Sequence, residues 1–172
     1  MQYLLKRTAA YFIDCVIVFG AVMLVLQWAI LSNLRESIGI TNEWFESSIN
    51  MQAYVLLTIS IPVWIYFAYF DSSKSTGTFG KRIMRLILTD IELKKISLGK
   101  SFIRTILKLL PWELAHIGVI FPEPLYFMEE GNVRLLTYIG IALFILYVLS
   151  IVTDKQHRTP YDKFLGTQVR QN

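Results

Sequence analysis

Three long apolar stretches constrain this chain more than any other feature. Residues 51–70 and 135–153 contain no charged side chain. In residues 8–31, the only strongly polar side chains are those of Asp14 and Gln27. Each stretch reaches about 20 residues, the length that an α-helix needs to cross about 30 Å of hydrocarbon. Because the apolar residues are gathered in such runs, the sequence predicts a membrane protein rather than a soluble core.

A further segment, residues 99–121, is less regular. Lys100, Arg104 and Lys108 recur every four residues opposite an apolar face, a pattern typical of an amphipathic helix that lies among lipid headgroups. Pro111 then interrupts or bends the helix. The second half is too short to span a membrane alone. Either it is re-entrant, or the whole segment crosses as one bent helix whose cations snorkel to the surface.

The distribution of Lys and Arg decides between these alternatives. Residues 71–110 carry nine Lys or Arg, whereas residues 32–50 and 111–134 carry one each. Under the positive-inside rule, the basic segment and both termini are therefore expected in the cytoplasm. Two termini on one side require an even number of crossings, so the irregular segment is predicted to cross.

These observations predict an all-α membrane protein with four transmembrane helices in one domain, residues 1–172. The helices are expected at about 8–31, 51–70, 99–121 and 135–153, the third bent at its proline. The small basic cytoplasmic loop between the second and third helices, residues 71–98, is expected to hold a hairpin of residues 85–90 and 95–98. A cytoplasmic tail, residues 154–172, follows the last helix.

Asp14 is the main functional candidate. It follows Arg7 by seven residues, and seven helical steps return to nearly the same face. With Arg7 at a membrane surface, Asp14 is expected well inside the hydrocarbon, where a carboxylate must be protonated, paired, hydrated or bound to a cation. Asp14 is thus a candidate proton or cation site, and its expected neighbours are Glu113, His116 or Tyr147.

Other motifs carry less chemistry. Glu113 and His116 form one E-x-x-H pair, but a carboxylate-bridged metal site needs a second copy. They stay secondary polar candidates, and no metal or cofactor is expected. The run 75–82 (STGTFGKR) lacks the glycine spacing of a phosphate-binding loop. No nucleophile stands at a readable spacing from a base, so we expect no enzyme, and we expect no nucleic-acid partner.

Three motifs together resemble one family. They are Arg7-x-x-Ala10-x-x-x-Asp14; Gly80-Lys81-Arg82 with the strand 86–90, Ser97-Leu98 and Arg104; and the run 158–167, RTPYDKFLGT. They are similar to those of the RDD family of small prokaryotic membrane proteins, named for one arginine and two aspartates. By motif position these are Arg7, Asp14 and Asp162. The chain departs from the family in its acidic insertion, residues 122–134, and its polar stretch 111–116. The resemblance implies residence in a prokaryotic membrane and a role in transport of ions or small ligands.

Two functions follow as expectations. In the first, the protein is a transporter or ion-coupled subunit that uses Asp14 for proton or cation exchange. In the second, it is a non-catalytic structural or regulatory membrane protein that binds a partner membrane protein. In both, a bidentate ion pair between Arg7 and Asp162 is expected to hold the tail against the first helix. We expect a multi-pass protein of the cell membrane, in contact with anionic headgroups and assembled with itself or with a partner membrane protein.

Overall fold

The computed structural model describes residues 2–125, 128 and 133–171. Within this part of the chain, three helices are long and apolar enough to cross a membrane: Tyr3–Leu34, Ser48–Phe70 and Leu135–Thr153. They coincide with the three apolar stretches of the sequence, so the helical membrane architecture is confirmed to that extent.

The first span is longer than predicted. Helix α1 (Gln2–Gly20) continues into a π-helical stretch, Ala21–Leu31, and a final turn, α2 (Ser32–Leu34). The helix therefore starts well before residue 8. The apolar stretch in the sequence did not reveal this start, because Lys6 and Arg7 interrupt it. At about 1.5 Å per residue, the span of 32 residues is about 48 Å long, which exceeds a hydrocarbon layer of about 30 Å.

The second span consists of three consecutive helical pieces. After a 3-10 turn (Glu36–Ile38) and the short helix α3 (Asn42–Glu46), it begins with α4 (Ser48–Val55). A π-helical stretch, Leu56–Ser60, leads into α5 (Ile61–Phe70).

The last two long helices are α7 (Leu98–Ile120) and α8 (Leu135–Thr153). Helix α7 contains Pro111 and remains one helix through it. Helix α7 carries several charged residues and is therefore not among the three helices that are apolar enough to cross a membrane. The two helices approach closely, since a Cβ added to Gly140 would lie 2.7 Å from the Pro111 carbonyl oxygen.

The predicted hairpin within residues 71–98 is wrong. This segment holds a short helix, α6 (Phe79–Ile83), and strand β1 (Leu86–Asp90). Strand β1 pairs antiparallel with β2 (Thr167–Gln171), which follows the short C-terminal helix α9 (Pro160–Leu165).

Apolar packing explains why the strand takes this distant partner. Leu88 lies opposite Val169 in the register of the two strands. Both belong to a buried cluster with Ala10, Leu86 and Ile96. The predicted second strand therefore contributes Ile96 to the core without pairing, while β2 supplies both the backbone partner and an apolar side chain.

The chain divides into two compact units. The first comprises the N-terminal part up to Phe19, Trp64–Lys108 and the C-terminal part from Ile145, and the second comprises Gly20–Val63 and Leu109–Phe144. In the second unit, Gln27 donates to the Thr58 hydroxyl at 2.7 Å and accepts from the Tyr54 hydroxyl at 2.5 Å. The polar side chain in the middle of the first apolar stretch is therefore fully partnered there.

In the first unit, α6 lies directly against α1. A Cβ added to Gly80 would lie 2.0 Å from the Ala10 carbonyl oxygen and 3.0 Å from Cγ of Asp14. Only a glycine next to a small residue permits two backbones to come this close.

We predict that Gly80→Ala lowers the free energy of unfolding by about 1–3 kcal/mol, because the new methyl group must displace backbone atoms. The matched control is Gly99→Ala on α7, where an added Cβ meets nothing within 4 Å and should be neutral or slightly stabilising. Thermal unfolding of the purified protein in detergent measures both. Equal midpoints for the two variants would contradict the packing described here.

Candidate functional site

Five charged side chains of the first unit form a buried chain of alternating sign, here called the charge network. Its members are, in order of contact, Arg7, Asp162, Arg104, Asp71 and Lys81. They come from α1, α9, α7, the residue after α5, and α6. The network therefore joins segments that are distant in sequence.

Asp162 lies at the centre of the network. Its Oδ2 contacts Arg7 Nη2 at 2.6 Å, and its Oδ1 contacts Arg104 Nε at 2.9 Å. The hydroxyls of Thr159 and Thr167 donate to the same carboxylate at 2.8 and 2.9 Å. Burial by itself would raise the pKa of Asp162, but Arg104 and Arg7 outweigh it and hold the pKa well below its usual range.

Local sequence explains how Asp162 is positioned. Thr159 is the N-cap of α9, its side chain accepts from the Asp162 amide, and the Asp162 side chain accepts from the Thr159 amide. This is a capping box, which fixes the first turn of a helix. The T-P-Y-D sequence thus sets the direction in which the carboxylate points.

Arg7 divides its guanidinium between two acceptors. Nη2 donates to Asp162, while Nη1 donates to the His157 carbonyl oxygen. The structure thus brings together the two residues expected to pair, but with one nitrogen on Asp162 rather than a bidentate fork. Both contacts tie the C-terminal segment to α1.

Asp71 and Lys81 form the other end of the network. Lys81 Nζ contacts Asp71 Oδ1, and Arg104 Nη1 contacts Asp71 Oδ2 at 3.2 Å. Burial alone would raise the pKa of Asp71, but Lys81 and Arg104 lower it below its usual value. Burial lowers the pKa of Lys81, and Asp71 restores only part of the difference.

Asp14 lies in the same unit but takes neutral partners. Its Oδ1 accepts from the Tyr66 hydroxyl at 2.8 Å and from the Gly80 amide at 2.7 Å, and its Oδ2 accepts from the Thr78 hydroxyl at 2.6 Å. The side chain is 1% exposed. All three donors come from α5 and the residues that start α6, so this carboxylate joins α1 to both.

None of the residues expected beside Asp14 is among its hydrogen-bond donors in the described part of the chain. Tyr147 donates to the Leu107 carbonyl oxygen at 2.8 Å. Glu113 and His116 belong to the second unit, where Glu113 accepts from the Ser60 hydroxyl at 3.0 Å. Nδ1 of His116 is buried and has no hydrogen-bond partner among the described residues. In the described part of the chain, no group of three or more His, Cys, Asp or Glu could hold a metal ion.

Two cations of the α7 stripe, Arg104 and Lys108, contact other segments of the first unit. Arg104 is 2% exposed and belongs to the charge network. Lys108 directs its ammonium to the Phe67 and Tyr11 rings, 3.3 and 4.9 Å from their centroids. The stripe faces inward because Asp71 and Asp162 offer Arg104 a buried salt bridge that lipid cannot replace.

Asp71, Lys81, Tyr66 and Thr78 were not predicted as site residues. The sequence contained a signal for one of them, because Lys81 lies within the G-K-R motif that follows Thr78 and Phe79. Asp71 directly follows an uncharged apolar stretch, a position also open to an ordinary solvated carboxylate. Only tertiary contacts separate these cases.

We predict that Asp162→Ala lowers the free energy of unfolding by about 3–5 kcal/mol, since Arg7 loses its carboxylate partner inside the fold. Arg7→Ala should cost less, about 1–3 kcal/mol, because Arg104 and two hydroxyls still contact Asp162. The double variant should lose less than the sum of the two. Arg7→Lys should also be destabilising, because one ammonium cannot reproduce both guanidinium contacts. Denaturant unfolding in detergent measures all four proteins.

The control for this cycle is the exposed pair of Lys94 and Glu92, whose nitrogen and oxygen are 2.8 Å apart. Exposed pairs contribute at most about 1 kcal/mol, so its double-variant cycle should show almost no coupling. Strict additivity for Arg7 and Asp162, or a silent Arg7→Lys, would show that Arg7 interacts with headgroups rather than with the tail.

Comparison with known proteins gives one match. The model of the RDD family matches residues 3–166, which include all members of the charge network and Asp14. No curated protein and no solved structure matches the chain. The match covers nearly the whole sequence and confirms the resemblance drawn from the three motifs. The chain belongs to the RDD family.

Proposed function

We propose that this protein is a non-catalytic structural or regulatory membrane protein whose charged residues form a rigid base on one side of the membrane. The observation that carries the proposal is the coordination of Asp14, which receives hydrogen bonds from three donors fixed by the fold. A carboxylate with this many donors is stabilised in place. The base holds the membrane spans in a fixed arrangement against which a partner membrane protein packs.

The geometry of Asp14 argues against cation exchange at this carboxylate. The Gly80 amide can only donate a hydrogen bond, and it faces Oδ1 at 2.7 Å. A cation at that oxygen would meet the amide hydrogen and would have no compensating ligand there. The close backbone contact between Gly80 and Ala10 leaves the amide little freedom to move aside.

The charge network supports a topology of four crossings with both termini in the cytoplasm of a cell-membrane protein. Contacts of Arg7 with Asp162, and of β1 with β2, keep the N-terminus, residues 71–98 and the tail together. Helix α7 starts in that assembly and α8 leads back to it. Because α8 is an apolar span of 19 residues, α7 must cross as well. The excess of Lys and Arg in residues 71–110 supports a cytoplasmic location for this side.

We predict that impermeant maleimide labels cysteines at positions 43 and 123 in intact cells, and labels those at 94 and 155 only after permeabilisation. The native residues there, Glu43, Glu123, Lys94 and Lys155, are all exposed. Replacing Cys15, the single cysteine, by serine gives the background. If the cysteines at 94 and 155 differ in labelling, or if 123 behaves like 94, the four-crossing topology is wrong.

The partner surface is proposed on α8. Of the 18 consecutive residues that make α8 an apolar span, 6% are buried within the chain. Phe144, Leu149 and Val152 are about half exposed. Lipid covers such a face in a monomer, and a second copy or a partner membrane protein covers it in an assembly. The proposed partners are thus the bilayer, with anionic headgroups on its cytoplasmic side, and another membrane protein.

Transport remains a second candidate on one observation. Among the described residues, the ion pairs of the first unit do not include Asp14, so its buried charge is met by neutral donors alone. In this alternative, Asp14 exchanges protons or cations within an ion-coupled subunit or oligomer.

We predict that liposomes containing the pure protein show no more Na⁺, K⁺ or proton flux than empty liposomes. We expect Asp14→Asn to lower the free energy of unfolding by about 1–3 kcal/mol, because one carboxylate acceptor is lost. Dye-monitored flux and denaturant unfolding measure the two effects. Glu92→Gln, at an exposed carboxylate, is the control and should change neither quantity.

The opposite outcome identifies a transporter. Flux by the wild-type protein that disappears in Asp14→Asn, at unchanged stability and abundance, would assign the function to the carboxylate and overturn the structural proposal. Thr78→Val separates the roles further, since it removes one donor to Asp14 while keeping both side-chain shape and the ionisable group. In the structural proposal it is destabilised like Asp14→Asn.

A further inference from the structure

A small cleft lies on the first unit beside α6 and β1. It has a volume of about 360 Å³ and is lined by Thr76, Arg82, Arg85, Leu86 and Ile87. Its lining therefore combines two cations and one hydroxyl with an apolar floor, and it includes no carboxylate. This composition suits an anion attached to an apolar body.

Arg82 is held in a fixed position at the cleft. Its Nε donates to the Gly77 carbonyl oxygen at 2.7 Å, and Nη2 donates to the Ser75 hydroxyl at 2.8 Å. The guanidinium also lies 5.5 and 5.4 Å from the centroids of the Phe70 and Phe79 rings. These contacts leave Nη1 available and hold its charge in place without neutralising it.

Arg85 has no such role in the fold. Its side chain makes no hydrogen bond or ion pair with the described residues, and its backbone adopts a left-handed conformation with φ of 54°. Non-glycine residues pay a cost in this conformation, which often marks a functional position. Arg7 and Arg104, by contrast, each contact a carboxylate. Among the described residues, neither of the two cleft arginines forms a salt bridge.

Exposed apolar side chains indicate the source of the anion. Ile83 is 60% exposed, Phe79 is 42% exposed, and Tyr69 at the end of the second span is 48% exposed. Aromatic residues at the end of a span are typical of the membrane–water interface. The exposed apolar side chains of α6 and of the end of the second span thus favour a position near the headgroup layer, where phosphate groups are concentrated.

We propose that this cleft binds the phosphate of an anionic phospholipid headgroup, with Arg82 and Arg85 as its ligands. Arg82 offers Nη1 and Arg85 its whole guanidinium as charged donors to phosphate oxygens, a chemistry that suits guanidinium better than ammonium groups. The Thr76 hydroxyl supplies a further donor. In the topology proposed above, the lipid belongs to the cytoplasmic leaflet, but binding itself does not depend on that topology or on the role of Asp14.

The test is native mass spectrometry of the purified protein with added phosphatidylglycerol or phosphatidylcholine. We expect phosphatidylglycerol to bind more tightly, because the choline ammonium would face two arginines. Arg82→Gln with Arg85→Gln should weaken phosphatidylglycerol binding about tenfold or more, as expected for loss of charge-assisted hydrogen bonds. Arg85→Gln alone, at a side chain with no partner in the fold, should give a smaller loss with unchanged thermal stability.

The control variant is Lys94→Gln with Lys155→Gln, which removes the same charge from exposed positions. Equal weakening in this control would show general attraction to a basic surface and would overturn the site. Equal binding of the two lipids would do the same. Displacement of phosphatidylglycerol by millimolar inorganic phosphate would assign the cleft to a soluble anion instead. None of these outcomes bears on ion flux or on Asp14→Asn, so this proposal and the structural one fail separately.

Discussion

The carboxylate of Asp162 is fully buried and is contacted by Arg7 from α1 and by Arg104 from α7. Removing a carboxylate from water costs several kcal/mol unless charges and hydrogen-bond donors replace the solvent. Here two guanidinium groups and two hydroxyls do so, and each comes from a fixed element. These contacts hold α9 against the start of α1 and the start of α7. Because β2 follows α9 directly, they also place β2 beside β1.

Arg7, Asp14 and Asp162, the three residues that the motif resemblance singles out, have distinct physical roles. Arg7 and Asp162 form a salt bridge between the two ends of the chain. Asp14 lies two turns further along the same face of α1 and is bound by neutral donors of α5 and α6. Small residues complete this stripe, because Ala10 lies between the two anchors and meets Gly80. Every contact along this face of α1 therefore attaches a segment from elsewhere in the first unit.

Hydrophobic runs and motif positions were sufficient to predict three spans and the pairing partners Arg7 and Asp162. The pairing of β1 with β2 could not be predicted, since β1 by itself is equally able to pair with a near or a distant strand. The apolar core selects the distant one. Arg104 illustrates the same limit: its spacing on α7 is typical of a headgroup-binding helix, and only the positions of Asp71 and Asp162 turn it inward. Long-range charge pairs leave no periodic signal in a single sequence.

The length of the first span, Tyr3–Leu34, changes the expected depth of Asp14 in the membrane. Twenty residues separate Asp14 from Leu34, which at about 1.5 Å per residue is about 30 Å, the thickness of the hydrocarbon layer. With Leu34 at one membrane surface, Asp14 would lie at the opposite boundary rather than well inside the membrane, and Arg7 would lie beyond that boundary. The folded segments between the second span and α7 replace water around this part of α1. A buried carboxylate is tolerable there because protein donors, rather than lipid, surround it.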